Sequence, residues 1–447
     1  MNEVKSVSRG ASWFWVTFKG ITRYKHLEVL LKNEKLSQDQ LQILQWQKLT
    51  ALLTHAYQNV PYYQRVFEQL GATPRDIRTK EDFAQLPILT RQDVRDNLEL
   101  LYARNVPESK LVIKSTSGSS GNPLDFYYSH ADRERAEAGG LRNFTWAGLS
   151  PSDKKALIWI GPIRSPIKKF FTHTILLDCF DLTESRMEEW LEELKRFKPR
   201  FVYGYTSAVA HFAQFVEGKH ERLDSISAVF VSAEKLYREQ RILIEKVFDC
   251  KVYDHYGSVE VPTIASECEK GSMHILNDLV YVEFLPWAPS DKLFGLEQDR
   301  IIVTSLDSYA MPFIRYANGD LGMPSTAACS CGRPFPTMSM GVSRTFHSFL
   351  MPDGQLVNGI YFQKLFLGLP GVTDFRVHQK SPEMITVYVV PETGVLLDTE
   401  QFLKGVINTI KQQWPSVSVD IEFLSELPPI KSGKRDFVIS DVVRSMN

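Results

Sequence analysis

The sequence predicts an α/β protein in two parts, a large domain over residues 1–343 and a small α+β domain over residues 344–447. Three observations carry this. Between residues 187 and 260 short apolar strands alternate with helical segments, at a spacing that fits a parallel sheet with crossover helices. After residue 275 strands follow one another without such helices, which marks a β-rich subdomain. A break at Gly341, Pro352 and Gly354 then precedes a stretch of different rhythm.

The elements follow in order. Near the start, Trp13, Phe14, Trp15, Phe18, Ile21 and Tyr24 are interleaved with Lys19, Arg23 and Lys25. Such a segment suits either a membrane interface, aromatics down and cations outward, or a helix packed on the body of the protein. Residues 36–70 read as one helix on the stripe Leu41, Leu44, Leu49, Leu52 and Leu53, opened by a capping box of Ser37 and Gln40. Another helix begins at Ser129, with Asp132 at its third position. Met187, Trp190, Leu191, Leu194 and Phe197 keep helical spacing until Pro199. Phe201–Tyr203 is a strand, 204–207 a turn, and a helix runs to about Val216. Ala228–Val231 is the next strand, turning at Ser232, Ala233 and Glu234 into a helix carrying Ile242, Leu243, Val247 and Phe248. Lys251–Tyr253 is the third strand, leading into residues 254–260. In parallel sheets ligands bind beyond the carboxyl ends of the strands, so these three polar turns are expected to share one crevice. The last part reads as strands at 372–379 and 384–390, a helix at 399–414 and a strand at 417–423.

Composition excludes several classes. Lys+Arg 52 against Asp+Glu 53 leaves a formal charge of -1, which is no polycation for nucleic acid. No run approaches the roughly 18 apolar residues of a membrane span, and no signal-peptide pattern opens the chain. Five cysteines do not make a secreted disulfide framework. The expected compartment is the cytoplasm, at the inner membrane face if the aromatic N-terminal segment is interfacial.

The most telling segment is Ser115-Thr116-Ser117-Gly118-Ser119-Ser120-Gly121-Asn122-Pro123. Its hydroxyls and exposed backbone N–H groups suit a polyphosphate, and equally an ordinary turn. Leu111–Ile113 before it and Leu124–Tyr128 after it both read as strand. The flanks therefore exclude a Walker-type loop, which needs Gly-Lys-Ser/Thr opening a helix.

Further along, the polar turns form an ordered series. Asn59-Val60-Pro61-Tyr62-Tyr63 and Leu86-Pro87-Ile88-Leu89-Thr90 come first, then Thr116 to Pro123 and Tyr256-Gly257-Ser258-Val259-Glu260. Met311-Pro312-Phe313-Ile314-Arg315-Tyr316 runs into Asn318-Gly319-Asp320; Ser343-Arg344 and Ser432-Gly433-Lys434 close the series. In this order they resemble the adenylate-forming (acyl-/aryl-CoA ligase) superfamily, most closely its phenylacetate–CoA ligase branch with the CapK-type capsular polysaccharide proteins. The resemblance spans nearly the whole chain.

That resemblance implies ATP-dependent attack of a carboxylate on the α-phosphorus, loss of pyrophosphate and an acyl-adenylate. Two anions meet in this step, so positioned donors, a metal ion and a cation must neutralise the developing charge. By family likeness Thr116, Ser117, Gly118, Ser119, Ser120 and Gly121 cradle the β- and γ-phosphates, Glu260 holds Mg²⁺, and Tyr256 with Gly257 and Ser258 lies against adenine. Ser232, Ala233 and Glu234 border the nucleotide, Asp320 accepts from the ribose hydroxyls, and Arg344 reaches the ribose and phosphate side. Lys434 is the mobile cation of the small domain; without the family it reads as part of a basic surface loop. Tyr205 and His255 are expected in the acid pocket. The implied second step rotates the small domain about a hinge and presents the acyl group to a thiol such as CoA, or to an amine.

The series departs from the family in three places. Leu124 follows Pro123 where many members carry Lys, and Asn318 replaces the usual Thr. His347 stands three residues after Arg344, where the hinge normally has an acid, and could make rotation pH-sensitive. Cys268 with His274, and Cys329 with Cys331, together offer a tetrahedral and therefore structural zinc set. The Cys-x-Cys spacing is tighter than usual, but the phenylacetate–CoA ligase branch is similar here. Cys179 and Cys250 read as core thiols. The expectation is an AMP-forming ligase using ATP, Mg²⁺ and structural Zn²⁺, with CoA as one candidate acceptor. The alternative is a non-catalytic nucleotide-binding scaffold at a membrane-associated glycan assembly, which rests on the aromatic N-terminus and His347.

Overall fold

The computed structural model describes residues 21–116, 124–159, 173–179, 182–286, 299–344, 348–353, 356–358, 371–392, 399–427 and 438–444. Strands β1 (Leu111–Ser115) and β2 (Asp125–Ser129) pair antiparallel, the two flanks expected around the Ser/Gly loop. Next come β3 (Lys155–Trp159), β4 (Thr174–Asp178), β5 (Phe201–Tyr205), β6 (Ala228–Ser232) and β7 (Lys251–Tyr256), all parallel in the spatial order β4-β3-β5-β6-β7. Helices Glu184–Phe197, Thr206–Gly218 and Arg238–Phe248 supply the crossovers.

The strand-rich continuation does not make a sheet of its own. Strands β8 (Ala265–Glu267), β9 (Met273–Ile275), β10 (Val280–Pro286), β11 (Asp299–Ser305), β12 (Tyr316–Ser325) and β13 (Thr337–Arg344) extend the same sheet antiparallel from β7. The order is β7-β8-β9-β13-β12-β11-β10, giving one 11-stranded sheet.

Each face of the parallel half has its own core. Alternate residues Ala156, Ile158, Ile175, Leu177, Val202, Val229, Val231 and Val252 pack on Met187, Trp190, Leu194, Phe212 and Ile244 of the crossover helices. The other face packs Phe201, Phe230 and Tyr253 against Phe144 of helix His130–Trp146. That helix begins where expected and opens with a capping box: Ser129 Oγ accepts from Asp132 N, and Asp132 accepts from Ser129 N.

The expected helix over 36–70 is two helices, Gln38–Asn59 and Pro61–Leu70. Pro61 has no N–H to continue the ladder and holds Val60 extended at φ -115, ψ 110. The Ser37–Gln40 capping box is present. The second helix carries Tyr63, whose hydroxyl donates to Pro312 O at 2.9 Å and accepts from Ile314 N at 3.2 Å. The Pro-Tyr-Tyr motif thus braces the segment leading to β12.

Helix Ile21–Asn33 lies along helix His130–Trp146, with Arg23 bonded to Glu134 at 2.7 Å and paired with Glu137. The packed-helix reading therefore holds for this part of the N-terminal segment. Trp13, Phe14, Trp15 and Phe18 lie outside the described residues. No helix among the described residues is long and apolar enough to cross a membrane.

Beyond residue 348 a separate core forms. Strands β16 (Val372–Ser381), β17 (Met384–Pro391), β18 (Ser418–Phe423) and β19 (Val438–Ser440) order as β18-β17-β16-β19, with helix Thr399–Gln413 crossing from β17 to β18. Hairpin β14 (Ser348–Leu350)/β15 (Leu356–Asn358) adds Phe349 and Val357 to a cluster with Val377, Val387, Ile410 and Trp414. Gln379 fastens it, accepting from Leu350 N and donating to Leu350 O.

Candidate active site

The carboxyl ends of the parallel strands converge as expected. In register, Asp178 (β4), Trp159 (β3), Tyr205 (β5), Ser232 (β6) and His255 (β7) stand side by side. By strand alternation they share one face. Trp159 stacks on Tyr205 with ring centroids 4.1 Å apart, and on Tyr203 at 5.6 Å. Gly204 and Tyr205, expected in a turn, continue β5. A Cβ on Gly204 would lie 2.8 Å from Ile158 O, so only glycine lets β5 sit this close to β3. Burial of His255 pushes its imidazole down to about 4, so the ring is neutral at ordinary pH. Ser232 Oγ donates to His255 O at 2.7 Å. Ala233 follows at φ 70, a left-handed backbone that turns the chain away from the sheet. Glu234 accepts from Ser207 N at 2.7 Å, and its backbone O accepts from Thr206 Oγ1 at 3.0 Å. Its carboxylate therefore sits at the N-terminus of helix Thr206–Gly218, where the helix dipole favours it.

Beyond β7 the chain makes a tight turn. A Cβ on Gly257 would fall 2.0 Å from Pro262 O, so no side chain fits there. Ser258 closes the turn, its N donating to Val261 O and its Oγ accepting from Val261 N. The turn buries Glu260. Its Oε1 accepts from Tyr316 Oη at 2.8 Å and from Arg91 Nη1 at 3.1 Å. Burial, then the Glu260 charge, pushes the Tyr316 phenol well above its ordinary value and keeps it a donor.

Arg91 is the residue the sequence reading missed. Its Nη2 also donates to Thr116 Oγ1 at 3.3 Å, so one guanidinium joins Glu260 to the mouth of the Ser/Gly loop. Thr116 closes that mouth: its N donates to Leu124 O and its Oγ1 accepts from Leu124 N, both at 2.9 Å. The available signal was position. Arg91 follows the Leu86–Thr90 motif directly, and Thr90 caps a helix that Arg91 opens. Leu89 bridges to β12 beside Tyr316, which delivers Arg91 to Glu260.

Tyr256, Asn318 and Asp320 form a second buried group. Tyr256 Oη donates to Asp320 Oδ2 at 3.1 Å and accepts from Asn318 Nδ2 at 2.8 Å; Asp320 N donates to Asn318 Oδ1 at 3.0 Å. Asn318 thus uses both ends of its amide, which a Thr hydroxyl is too short to span. Gly319 takes φ 84, the left-handed conformation that glycine supplies without strain. Asp320 is paired in register with Arg344 across β12 and β13.

The four candidate zinc ligands converge. Cys268 Sγ lies 3.6 Å from Cys329 Sγ, Cys331 Sγ lies 3.3 Å from His274 Nε2, and all four ligand atoms are within 4.8 Å of one another. His274 Nδ1 is 2.9 Å from Phe335 O, which places the proton on Nδ1 and leaves Nε2 free for a metal. At Cys329 burial opposes the thiolate, but hydrogen bonds from Ser272, Cys331 N and His274 outweigh it and hold the thiol at about 6. Strands β8, β9 and β13 bring the set together from residues 61 apart in sequence.

Ser117, Gly118, Ser119, Ser120, Gly121, His347 and Lys434 lie outside the described residues, as does the Arg344 side chain.

Comparison with known proteins agrees with this architecture. Residues 349–441 match the CapK C-terminal domain. The phenylacetate-coenzyme A ligase of Escherichia coli (strain K12) is 28% identical over 305 residues, covering 66% of this chain and 70% of that protein. Protein CapK of Staphylococcus aureus is 21% identical over 411 residues, 89% of each chain. Among solved structures, 2-hydroxyisobutyryl-CoA ligase in its postadenylation state superposes with a TM-score of 0.71 at 19% identity, over 93% of this chain and 92% of that one. The chain is similar to the AMP-forming ligases of the adenylate-forming superfamily, and these likenesses support the branch that holds the phenylacetate–CoA ligases and CapK.

Proposed function

We propose that the protein activates a small organic or aromatic acid with ATP as an acyl-adenylate and then passes the acyl group to CoA or to an amine, in the service of surface polysaccharide. The observation that carries the first half-reaction is the cluster Arg91–Glu260–Tyr316–Thr116. It joins the mouth of a phosphate-type loop to a buried carboxylate within hydrogen-bond reach. Mg²⁺ held by Glu260 would offset phosphate charge. Arg91 pairs with Glu260 and registers it against Thr116, and Tyr316 fixes which oxygen accepts. Tyr256 and Asp320, locked by Asn318, present a ring face and a carboxylate for adenine and ribose. Ser117, Gly118, Ser119, Ser120 and Gly121 supply donors to the phosphates, with Ser232, Ala233, Glu234, Gly257 and Ser258 along the rim. Arg344 serves the phosphate side and Lys434 brings the mobile cation. In this reading residues 344–447 form the moving domain, with His347 at its hinge.

The test is carboxylate-dependent ATP–pyrophosphate exchange over an acid panel, with hydroxylamine trapping repeated in the presence of CoA and of amines. Lys434→Ala is expected to lower exchange by about 10²- to 10³-fold, the scale for removing one charge-stabilising donor. No exchange with any acid, and a Lys434→Ala protein that behaves like wild type, would instead favour the nucleotide-binding scaffold.

We also propose a structural zinc on Cys268, His274, Cys329 and Cys331. Four soft or borderline ligands with no open position fit a tetrahedral site that holds the fold rather than reacts. One zinc equivalent per chain is expected by elemental analysis, and chelation should lower the unfolding temperature in wild type but not in Cys329→Ser. Substoichiometric metal in carefully purified protein speaks against the site.

A further inference from the structure

The hydrogen bonds behind the aromatic wall have a direction, and following it leaves one atom over. Ser232 has a single proton and gives it to the carbonyl oxygen of His255 at 2.7 Å, since a carbonyl can only accept. His255 Nδ1 lies 3.4 Å from the Tyr203 hydroxyl and is the ring nitrogen that carries the proton, because the Asn143 NH2 on the other side of the ring can only donate. A neutral imidazole with its proton on Nδ1 has an accepting Nε2. That nitrogen receives Asn143 Nδ2–H at 3.3 Å. This contact uses the nitrogen of the Asn143 amide and leaves its Oδ1 as an acceptor.

Asn143 is 1% exposed, and its Oδ1 is sealed from solvent with no partner among the described residues. The other side chains of this row, Ser232, His255 and Tyr203, each have a hydrogen-bond partner. The amide belongs to helix His130–Trp146 and meets the row at the carboxyl end of β7 through His255, one residue before Tyr256. On the same side Tyr203 stacks over His255 at 6.1 Å and Trp159 over Tyr203 and Tyr205.

We propose that the acid carries a hydrogen-bond donor, a hydroxyl or amino group on its body, and that Asn143 selects it through Oδ1. The proposal rests on the adenylation reading above. A site built to accept a hydrogen bond rejects an isostere that lacks the donor far more strongly than an apolar pocket rejects a missing methylene.

The experiment pairs acids that differ only in the donor, such as benzoate with hydroxy- and aminobenzoates and small aliphatic acids with their hydroxy forms. Pyrophosphate exchange gives kcat/KM for each, and thermal shift without ATP gives binding separately. Wild type is expected to favour the better donor-bearing member by at least about 10²-fold in kcat/KM. Asn143→Leu, close in volume, should bring that ratio near one while retaining the donor-free acids. The wild-type ratios need no variant, so a poorly folding Asn143→Leu leaves the test intact. Exchange with equal rates for both members overturns the donor proposal and leaves adenylation standing. Donor-selective thermal shifts without exchange would keep the recognition and overturn the adenylation. An absence of both overturns the two together.

Discussion

Glu260→Gln is expected to lower carboxylate-dependent pyrophosphate exchange by about 10²- to 10³-fold with little change in unfolding temperature. Gln keeps an oxygen in place to accept from Tyr316 and Arg91, so the packing and both hydrogen bonds survive. It loses the charge that Arg91 neutralises and that a divalent cation would need. The Mg²⁺ concentration for half-maximal exchange should rise in parallel. Arg91→Ala separates the two roles: it leaves the Glu260 charge but cuts the link to Thr116. A Gln variant with wild-type exchange and wild-type Mg²⁺ dependence would reduce Glu260 to a structural acceptor for Tyr316.

The largest expected effect on stability lies elsewhere, at the ion pair under helix His130–Trp146. Arg142 and Asp278 are both fully buried and joined by two bonds of 2.7 and 3.0 Å, with Asn33 donating to Asp278 at 2.9 Å. Removing one partner strands the other charge in a dry interior, a loss of about 3–5 kcal/mol. Asp278→Ala should lower the unfolding free energy from urea titration by that amount, whereas Arg142→Met with Asp278→Leu should recover much of it, since neither charge is then left alone. A double variant as unstable as the sum of the singles would show that packing, not charge, dominates. At Asp278 burial alone would raise the carboxyl, but the Arg142 charge and the hydrogen bonds from Arg142 and Asn33 outweigh it and leave it lowered. A depressed folded value stabilises above the unfolded value of about 3.9 and fades as pH falls through the folded one. The pair's contribution is therefore complete at neutral pH and lost only in acid.

Local signals were legible in the sequence. The strand–helix alternation from 187 to 260, the capping box at Ser37, the helix start at Ser129 and the strand flanks of the Ser/Gly loop each depend on residues a few positions apart, and each was found where expected. Pairings across long separations were not. Nothing near Arg142 announces Asp278, 136 positions away, and nothing near Arg91 announces Glu260 at a separation of 169. The continuation of the parallel sheet into the antiparallel strands was invisible for the same reason, because pairing of β7 with β8 is set by tertiary packing rather than by period. The Cys and His ligands were the exception at long range. Their chemistry limits what they can partner, so residue type, together with the likeness to the phenylacetate–CoA ligase branch, drew them together.

The single sheet also fixes a length. The row at the ends of β5, β6 and β7 and the carboxylate of Asp320 on β12 belong to one hydrogen-bonded lattice that runs through β8, β9 and β13. Their separation is counted in strand spacings rather than set by loops, which makes the sheet a ruler. Under the proposed function, a bulkier acid cannot be accommodated by sliding the nucleotide along the sheet. It has to extend sideways over Trp159 toward β4, and variation in acid size should be recorded there.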